Sequence, residues 1–302
     1  MARYAIGLDL GGTNLRAAAI DASGQILHKV AGRTDLSAGA DMVIGDMVDA
    51  IDATRRHLGE TNLAGIGVGV PGFIIMEKGI ITDSPNLPGF ENYPVRDALE
   101  ERLGCRVHLE NDANAAALGE KWMGAGREVE DLVLLTLGTG IGGGVICGGR
   151  VVHGFVGMGG ELGHITVNPT GNPCGCGNRG CLEKHASATA ITAMAKLMGF
   201  GDGVTAEAVY RMAVEGNDKA VEIYRVMGES LGIALANLSN IFNFPLYLLS
   251  GGVLAAWDFF APPMFEECRR RSFVFRNTAT RIEKASLGNQ AGLFGAASLG
   301  FP

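Results

Sequence analysis

The chain states one structural plan twice. An apolar stretch from Arg3 to Leu10 meets a Gly11-Gly12-Thr13 turn and resumes as a strand from Leu15 to Ile20; later, Leu132 to Leu137 meets Gly138-Thr139-Gly140 and resumes from Gly144 to Cys147. In the first half a third strand, Gln25 to about Arg33, completes an antiparallel meander. Helical patterns at Met42 to Leu58 and Val95 to Leu103 then alternate with strands at Ala64 to Val70 and Arg106 to Leu109, and a further helix begins near Asp112. The second half adds a Gly148-Gly149 hairpin into Arg150 to Val152, and helical stretches near Ala186 to Met198, Thr205 to Ala213 and Lys219 to Phe242. A strand at Leu246 to Ser250 and a last helix near Gln290 to Leu299 follow. Two similar halves of alternating strands and helices predict an α/β protein of two lobes, and 302 residues exceed what one hydrophobic core usually serves.

Charge narrows the partners. A net charge of -7 argues against nucleic acid, whose phosphates are met by clustered Lys and Arg. The one dense basic run, Arg269-Arg270-Arg271, follows a helical-looking Met264 to Cys268 and reads as a cationic helix C-terminus. Two long uncharged stretches, Leu132 to Gly149 and Ser230 to Trp257, do not read as membrane spans. The first is rich in glycine, and the second carries Asn237, Asn240, Asn243 and Pro245 midway, each costly in a lipid-facing helix. Asp9 interrupts the N-terminal apolar run before it reaches signal-peptide length, so a cytoplasmic protein is expected.

The glycine turns are the first chemical signal. Glycines let backbone N–H groups approach phosphate oxygens, and a threonine hydroxyl adds a donor without bulk. Either turn alone suits a plain hairpin; the pair suits a polyphosphate clamp, to which Ser250-Gly251-Gly252-Val253, after a buried strand, adds a third turn. Gly138-x-Gly140-x-x-Gly143 matches the dinucleotide fingerprint literally. That fingerprint must open a helix, whereas here the strand residues Val145-Ile146 and a hairpin follow, so the dinucleotide reading fails.

The second signal is His164-x9-Cys174-x-Cys176-x4-Cys181, with Glu161 just before it and Glu183 just after. Thiolates and imidazole suit tetrahedral Zn2+, and four protein ligands leave no position for an activated water, so a structural zinc is expected. The acids beside it are then the chemical groups. Cys105, Cys147 and Cys268 lie in no motif and are expected to be buried apolar fillers.

Asp9-x-Gly-Gly-Thr13, the Leu137 to Gly144 loop, Glu161-x-Gly-His164 and Cys174-x-Cys-Gly-x-x-Gly-Cys181-x-Glu183 closely resemble the ROK family of sugar kinases and repressors, from about residue 3 to residue 299. Pro85 to Phe90, Glu110 to Ala117 and Glu183-x-x-Ala186-Ser187 are most similar to its bacterial ATP-dependent glucokinases. Asn14 departs from many members, in which a lysine often follows the threonine. The resemblance implies the two-lobed actin-like ATPase (ribonuclease H-like) fold. It would have a small lobe over residues 1–112 joined by the C-terminal helix 290–302, and a large lobe over 113–289 bearing the zinc loop.

The resemblance also implies roles. Asp112 would be the base that takes the proton from the sugar's 6-hydroxyl as it attacks ATP; as a bare sequence feature it could instead cap the following helix, a job Asn111 could also do. Asp9 would hold Mg2+, usually through water, and Gly11, Gly12, Thr13, Asn14, Gly138, Thr139, Gly140, Gly251 and Gly252 would line the nucleotide. Asn86, Asn111 and Asp112 resemble the groups around the 3-, 4- and 6-hydroxyls. Glu161, His164 and Glu183 resemble those around the 1- and 2-hydroxyls, and Gly72 would let backbone approach the ring. His164 could ligate zinc through one nitrogen and reach the sugar through the other. The expected reaction is ATP plus glucose to glucose 6-phosphate and ADP, by a homodimer. The alternative is a kinase for another hexose, N-acetylmannosamine, N-acetylglucosamine, fructose or mannose, which would use the same base and loops. A sugar-sensing repressor is the remaining alternative; those relatives carry an added N-terminal helix-turn-helix, whereas here the first strand begins by about residue 3.

Overall fold

The computed structural model describes residues 3–301 apart from 12, 13, 34, 36, 38, 85 and 86, and omits the side chain of Asp83. The chain packs as two compact units. One comprises residues 1–130, 144–160 and 285–302, the other 131–143 and 161–284. These boundaries differ from those of the expected lobes.

The first unit is built on a five-stranded mixed sheet of order β3-β2-β1-β4-β7, with β1 (Tyr4–Leu10), β2 (Asn14–Asp21), β3 (Ile26–Arg33), β4 (Leu63–Val70) and β7 (Val107–Asn111). The meander is as expected: β1 pairs antiparallel with β2 and β2 with β3, whereas β1, β4 and β7 run parallel. A two-stranded ribbon, β5 (Phe73–Ile75) and β6 (Ile80–Asp83), was not expected from sequence. Alternation sorts the faces of β1. Tyr4, Ile6, Leu8 and Leu10 enter the main core with Val43, Ile44, Met47 and Ile51 of α1 (Ala40–Leu58) and Leu99 of α2 (Val95–Leu103).

On the opposite face lie α3 (Asp112–Met123) and α10 (Ala291–Ser298), and this contact explains many of the glycines. A Cβ on Gly7 would meet Leu293 O at 2.3 Å, one on Gly67 would meet Ala296 O at 1.8 Å, and one on Gly295 would meet Ala115 O at 1.6 Å. α10 is thus packed backbone to backbone against the sheet and against α3. Gly67→Ala is expected to lower stability by about 1–3 kcal/mol, the usual penalty of overpacking, as read by urea unfolding. Glu120 of α3, fully buried, ties the C-terminal segment down by accepting the N–H groups of Ser286 and Leu287, and also accepts that of Ala125 just after the helix.

In the second unit β8 (Leu132–Leu137), β11 (Leu246–Ser250) and β12 (Arg281–Lys284) run parallel in that order. β8 and β11 are buried on both faces, as near-continuous apolar runs should be. β9 (Ile141–Cys147) begins in this unit and ends in the first, where it pairs antiparallel with β10 (Arg150–Val151). The helices are α4 (Glu183–Ala186), α5 (Ala188–Leu197), α6 (Ala206–Val214), α7 (Asp218–Phe242), α8 (Trp257–Arg271) and α9 (Phe273–Asn277). α8 runs through Pro262 and Pro263, which hid its first half from sequence reasoning. Gly228 and Gly232 of α7 admit the α8 backbone, since a Cβ there would meet Phe260 O at 2.2 Å and Met264 O at 2.5 Å. Arg269, Arg270 and Arg271 end α8 as expected, with Arg270 and Arg271 paired to Glu267.

Cys268 is buried and Cys105 partly so, but Cys147 is exposed, contrary to expectation, because it closes β9 at the rim beside the Gly148-Gly149 turn. No helix among the described residues is long and apolar enough to cross a membrane.

Candidate active site

In the first unit the ends of β1, β4 and β7 bring Asp9, Gly72, Asn111 and Asp112 into play. Asn111 is the N-cap of α3: its Oδ1 accepts the N–H of Ala113 at 2.9 Å and of Asn114 at 3.2 Å. Its Nδ2 donates to the carbonyl of Gly72 at 3.3 Å, and Gly72 adopts φ 120°, which favours glycine. Asp112 is therefore not needed as the cap, although its Oδ1 also accepts the Ala113 N–H at 2.8 Å. Burial pushes the Asp112 carboxyl above the usual range, with backbone donors and the Asn111 side chain opposing.

Asp9 lies across the β1–β2 ladder from Arg16, whose guanidinium comes within 3.8 Å and also donates to Asn289 O. Gly292, at the start of α10, leaves room for the acid: a Cβ there would stand 2.7 Å from Asp9 Oδ1. Burial first, then the nearby Asp112 carboxylate, raises the Asp9 pKa to about 6, against the pull of Arg16. Gly11 closes the turn by donating to Asn14 O at 2.8 Å. Gly12, Thr13 and Asn86 lie outside the described residues. Arg16 escaped sequence reasoning; its signal is the cross-strand register with Asp9.

An Asp whose folded pKa is raised loses stability as pH climbs from the unfolded value near 3.8 through about 6, and the loss is complete above that. Asp9→Asn should therefore be more stable than the wild type at pH 8 without Mg2+, by on the order of 1–3 kcal/mol. The gap should close at pH 4, and urea unfolding at the two pH values measures it.

In the second unit the turns after β8 and β11 lie side by side at the carboxyl ends of parallel strands. Gly251, at φ 102°, packs against the backbone of Leu137, so that a Cβ would meet Leu137 O at 2.3 Å; Gly252 has open space where its Cβ would be. Gly138 N–H donates to Gly140 O, Thr136 Oγ1 accepts the Gly142 N–H, and Thr189 Oγ1 donates to Thr139 O at 2.7 Å. A cavity of about 410 Å3 adjoins Thr139, lined by Thr189, Thr192, Lys196, Asp202 and Thr205 among others. Sequence reasoning missed these residues, which lie along α5 and in the connection to α6 with no motif.

The same unit holds the cysteine loop. Ligand atoms of His164, Cys174, Cys176 and Cys181 lie within 4.8 Å of one another. Cys174 Sγ is 3.6 Å from His164 Nδ1, and Cys176 Sγ is 3.7 Å from Cys181 Sγ. A tetrahedral zinc with ordinary bond lengths requires about 3.6 Å between S and N ligands and about 3.8 Å between two sulfurs, so the donor set fits. His164 Nε2, on the other side of the ring, is 4.0 Å from Glu161 Oε2. Glu183 comes 3.3 Å from Cys174 Sγ through Oε1, and its Oε2 would stand 2.9 Å from a Cβ on Gly140. Lys184, 3.2 Å from Glu183 Oε1, favours the ionised carboxylate. The unit thus brings Gly140, Glu161, His164, Glu183 and the three cysteines into one neighbourhood.

Two α/β units carrying glycine turns at strand ends, with acids beside them, are the architecture of an actin-like ATPase fold. The chain belongs to the ROK family, which matches residues 5–300. It is 38% identical to the glucokinase of Thermotoga maritima, over 97% of this chain and 96% of that protein. Its structure resembles the ROK hexokinase of Thermus thermophilus with a TM-score of 0.88 and 39% identity, over 97% of this chain and 96% of that one. It also resembles a ROK family glucokinase from Streptomyces griseus in complex with glucose and AMPPNP, with a TM-score of 0.78 and 34% identity over 98% of both chains.

Proposed function

We propose that this sugar kinase transfers the terminal phosphoryl group of ATP to the 6-hydroxyl of glucose. The observation that carries the reading is the start of α3: Asn111 supplies the cap, and Asp112 is left as a proton-hungry carboxylate in a confined place. Phosphoryl transfer needs little covalent help from protein beyond an acceptor for the nucleophile's proton, alignment and charge neutralisation. Asp112 takes the proton of the attacking hydroxyl. Asn86, Asn111 and Asp112 are assigned to the 3-, 4- and 6-hydroxyls, Glu161, His164 and Glu183 to the 1- and 2-hydroxyls, and Gly72 to close backbone approach. Gly11, Gly12, Thr13, Asn14, Gly138, Thr139, Gly140, Gly251 and Gly252 are assigned to the phosphates, and the cavity beside Thr139 offers room for the base and ribose.

Mg2+ accompanies ATP and neutralises its phosphate charge when bound; Asp9 is the residue that would hold it. Zinc, held by His164, Cys174, Cys176 and Cys181, would be structural, orienting the imidazole so that Nε2 faces Glu161 and the sugar. A homodimer accompanies this reading, and light scattering tests it. Product analysis tests the reaction itself. Phosphorus NMR of the mixture should show a phosphomonoester on the 6-oxygen of glucose with stoichiometric ADP, and ADP formation without a sugar phosphate would overturn it.

N-acetylmannosamine, N-acetylglucosamine, fructose or mannose kinase activity stays the second reading, because Glu161, exposed at the edge of the cysteine loop, does not by itself define the group at the 2-position.

A further inference from the structure

Glu110, next to the cap of α3, is only 1% exposed, and both its oxygens are engaged. Oε1 accepts the Asn111 N–H at 2.9 Å and an Asn114 Nδ2 hydrogen at 3.1 Å, while His153 Nε2 donates to Oε2 at 2.8 Å. The Asn111 backbone is thereby pinned, and its side chain is committed at both ends, to the α3 amides and to Gly72 O. Asp112 is the next residue.

A buried carboxylate is a poor device for stability alone. Its desolvation is offset only when every partner is well placed, and an apolar replacement is often as stable. This network is not fully satisfied, since Asn114 Oδ1 is buried with no partner among the described residues. The imidazole that meets the acid is 36% exposed on its side chain, and the hydrogen bond to Glu110 favours its protonated form against partial burial. An expensive, incompletely paired network directly behind a base has its use in geometry: a misplacement of about 1 Å costs on the order of a hundredfold in rate.

We propose that Glu110 and His153 are a positioning pair for the transfer step. The imidazole fixes the Glu110 carboxylate, the carboxylate fixes the Asn111 backbone, and Asn111 sets the direction from which Asp112 meets the acceptor hydroxyl. Neither residue touches substrate. The inference rests on the reading of Asp112 as base.

The test compares kcat and both KM values for His153→Leu, His153→Asn and His153→Gln, each normalised to the folded fraction from urea unfolding. Leucine abolishes the donor and asparagine keeps polarity without reach; both should lower kcat by about ten- to a hundredfold with KM for MgATP little changed. Glutamine, which restores a donor of similar reach, should recover most of the loss. Unchanged kcat in the leucine and asparagine variants, or equal losses in all three, would overturn the proposal. Asp112→Asn assayed alongside separates the two readings: if it remains fast, the base assignment fails and the pair has nothing to position. If it is slow while the His153 variants are normal, only the pair is refuted.

Discussion

Asp112→Asn is expected to lose about 10^2- to 10^4-fold in kcat, the range for removal of a general base, with the fold intact. The change is nearly isosteric. Asn111 already caps α3, and the one hydrogen bond in which Asp112 serves the helix, from the Ala113 N–H, can be accepted by an amide oxygen. KM for sugar should move far less than kcat, because the proton is taken only as the transition state forms. Burial, which raises the Asp112 pKa, supplies the proton affinity that the amide lacks. Stopped-flow turnover of the variant, beside its circular dichroism and urea midpoint, measures the effect; near-normal turnover would remove Asp112 from the chemistry.

Removing the proposed zinc should be the other large effect. From Thr170 to Gly180 the cysteine loop is mostly exposed, and of its side chains only Cys174 is buried. A few backbone pairs organise it, among them Val167 to Gly180 and Cys174 to Asn178, with bridges at Thr166–Cys181 and Pro173–Arg179. Such a loop has too little apolar surface to hold itself, and a structural zinc contributes an apparent 10–16 kcal/mol in small sites, about as much as a whole domain's stability. Purified protein should hold one zinc per chain by mass spectrometry. Cys176→Ala, or exhaustive chelation, should sharply raise the sugar KM and expose the loop to protease, because Glu161, His164 and Glu183 are all anchored there. Unchanged sugar affinity in protein verified to be metal-free would contradict the role given to the cluster.

These two sites differ in how openly the chain displays them. The cysteine loop is legible because thiolates, imidazole and spacing are local facts, and the four ligand atoms do converge. The meander is legible through period-two alternation in β1, and the long helix α7 through its sustained apolar face. What stayed hidden depends on distant partners. The ribbon β5–β6 is too short to show a period, the charged edge strand β12 looks like a loop, and α8 carries two prolines inside a helix packed closely on Gly228 and Gly232 of α7. Unit boundaries were obscured because the chain leaves each unit and returns, so residues 144–160 and 285–302 join the first. Arg16 and His153 carry no motif; register and hydrogen bonding place them beside Asp9 and Glu110.

Phosphorylation of glucose is best tested by initial-rate ADP release from Mg-ATP, coupled to a reporter enzyme, with glucose, mannose, fructose, N-acetylglucosamine and N-acetylmannosamine compared by kcat/KM on zinc-loaded protein. Clear selectivity for glucose is expected. Preference for an acetamido sugar would contradict the assigned substrate and leave the mechanism standing, and no sugar-dependent ADP release from folded protein would contradict the mechanism as well.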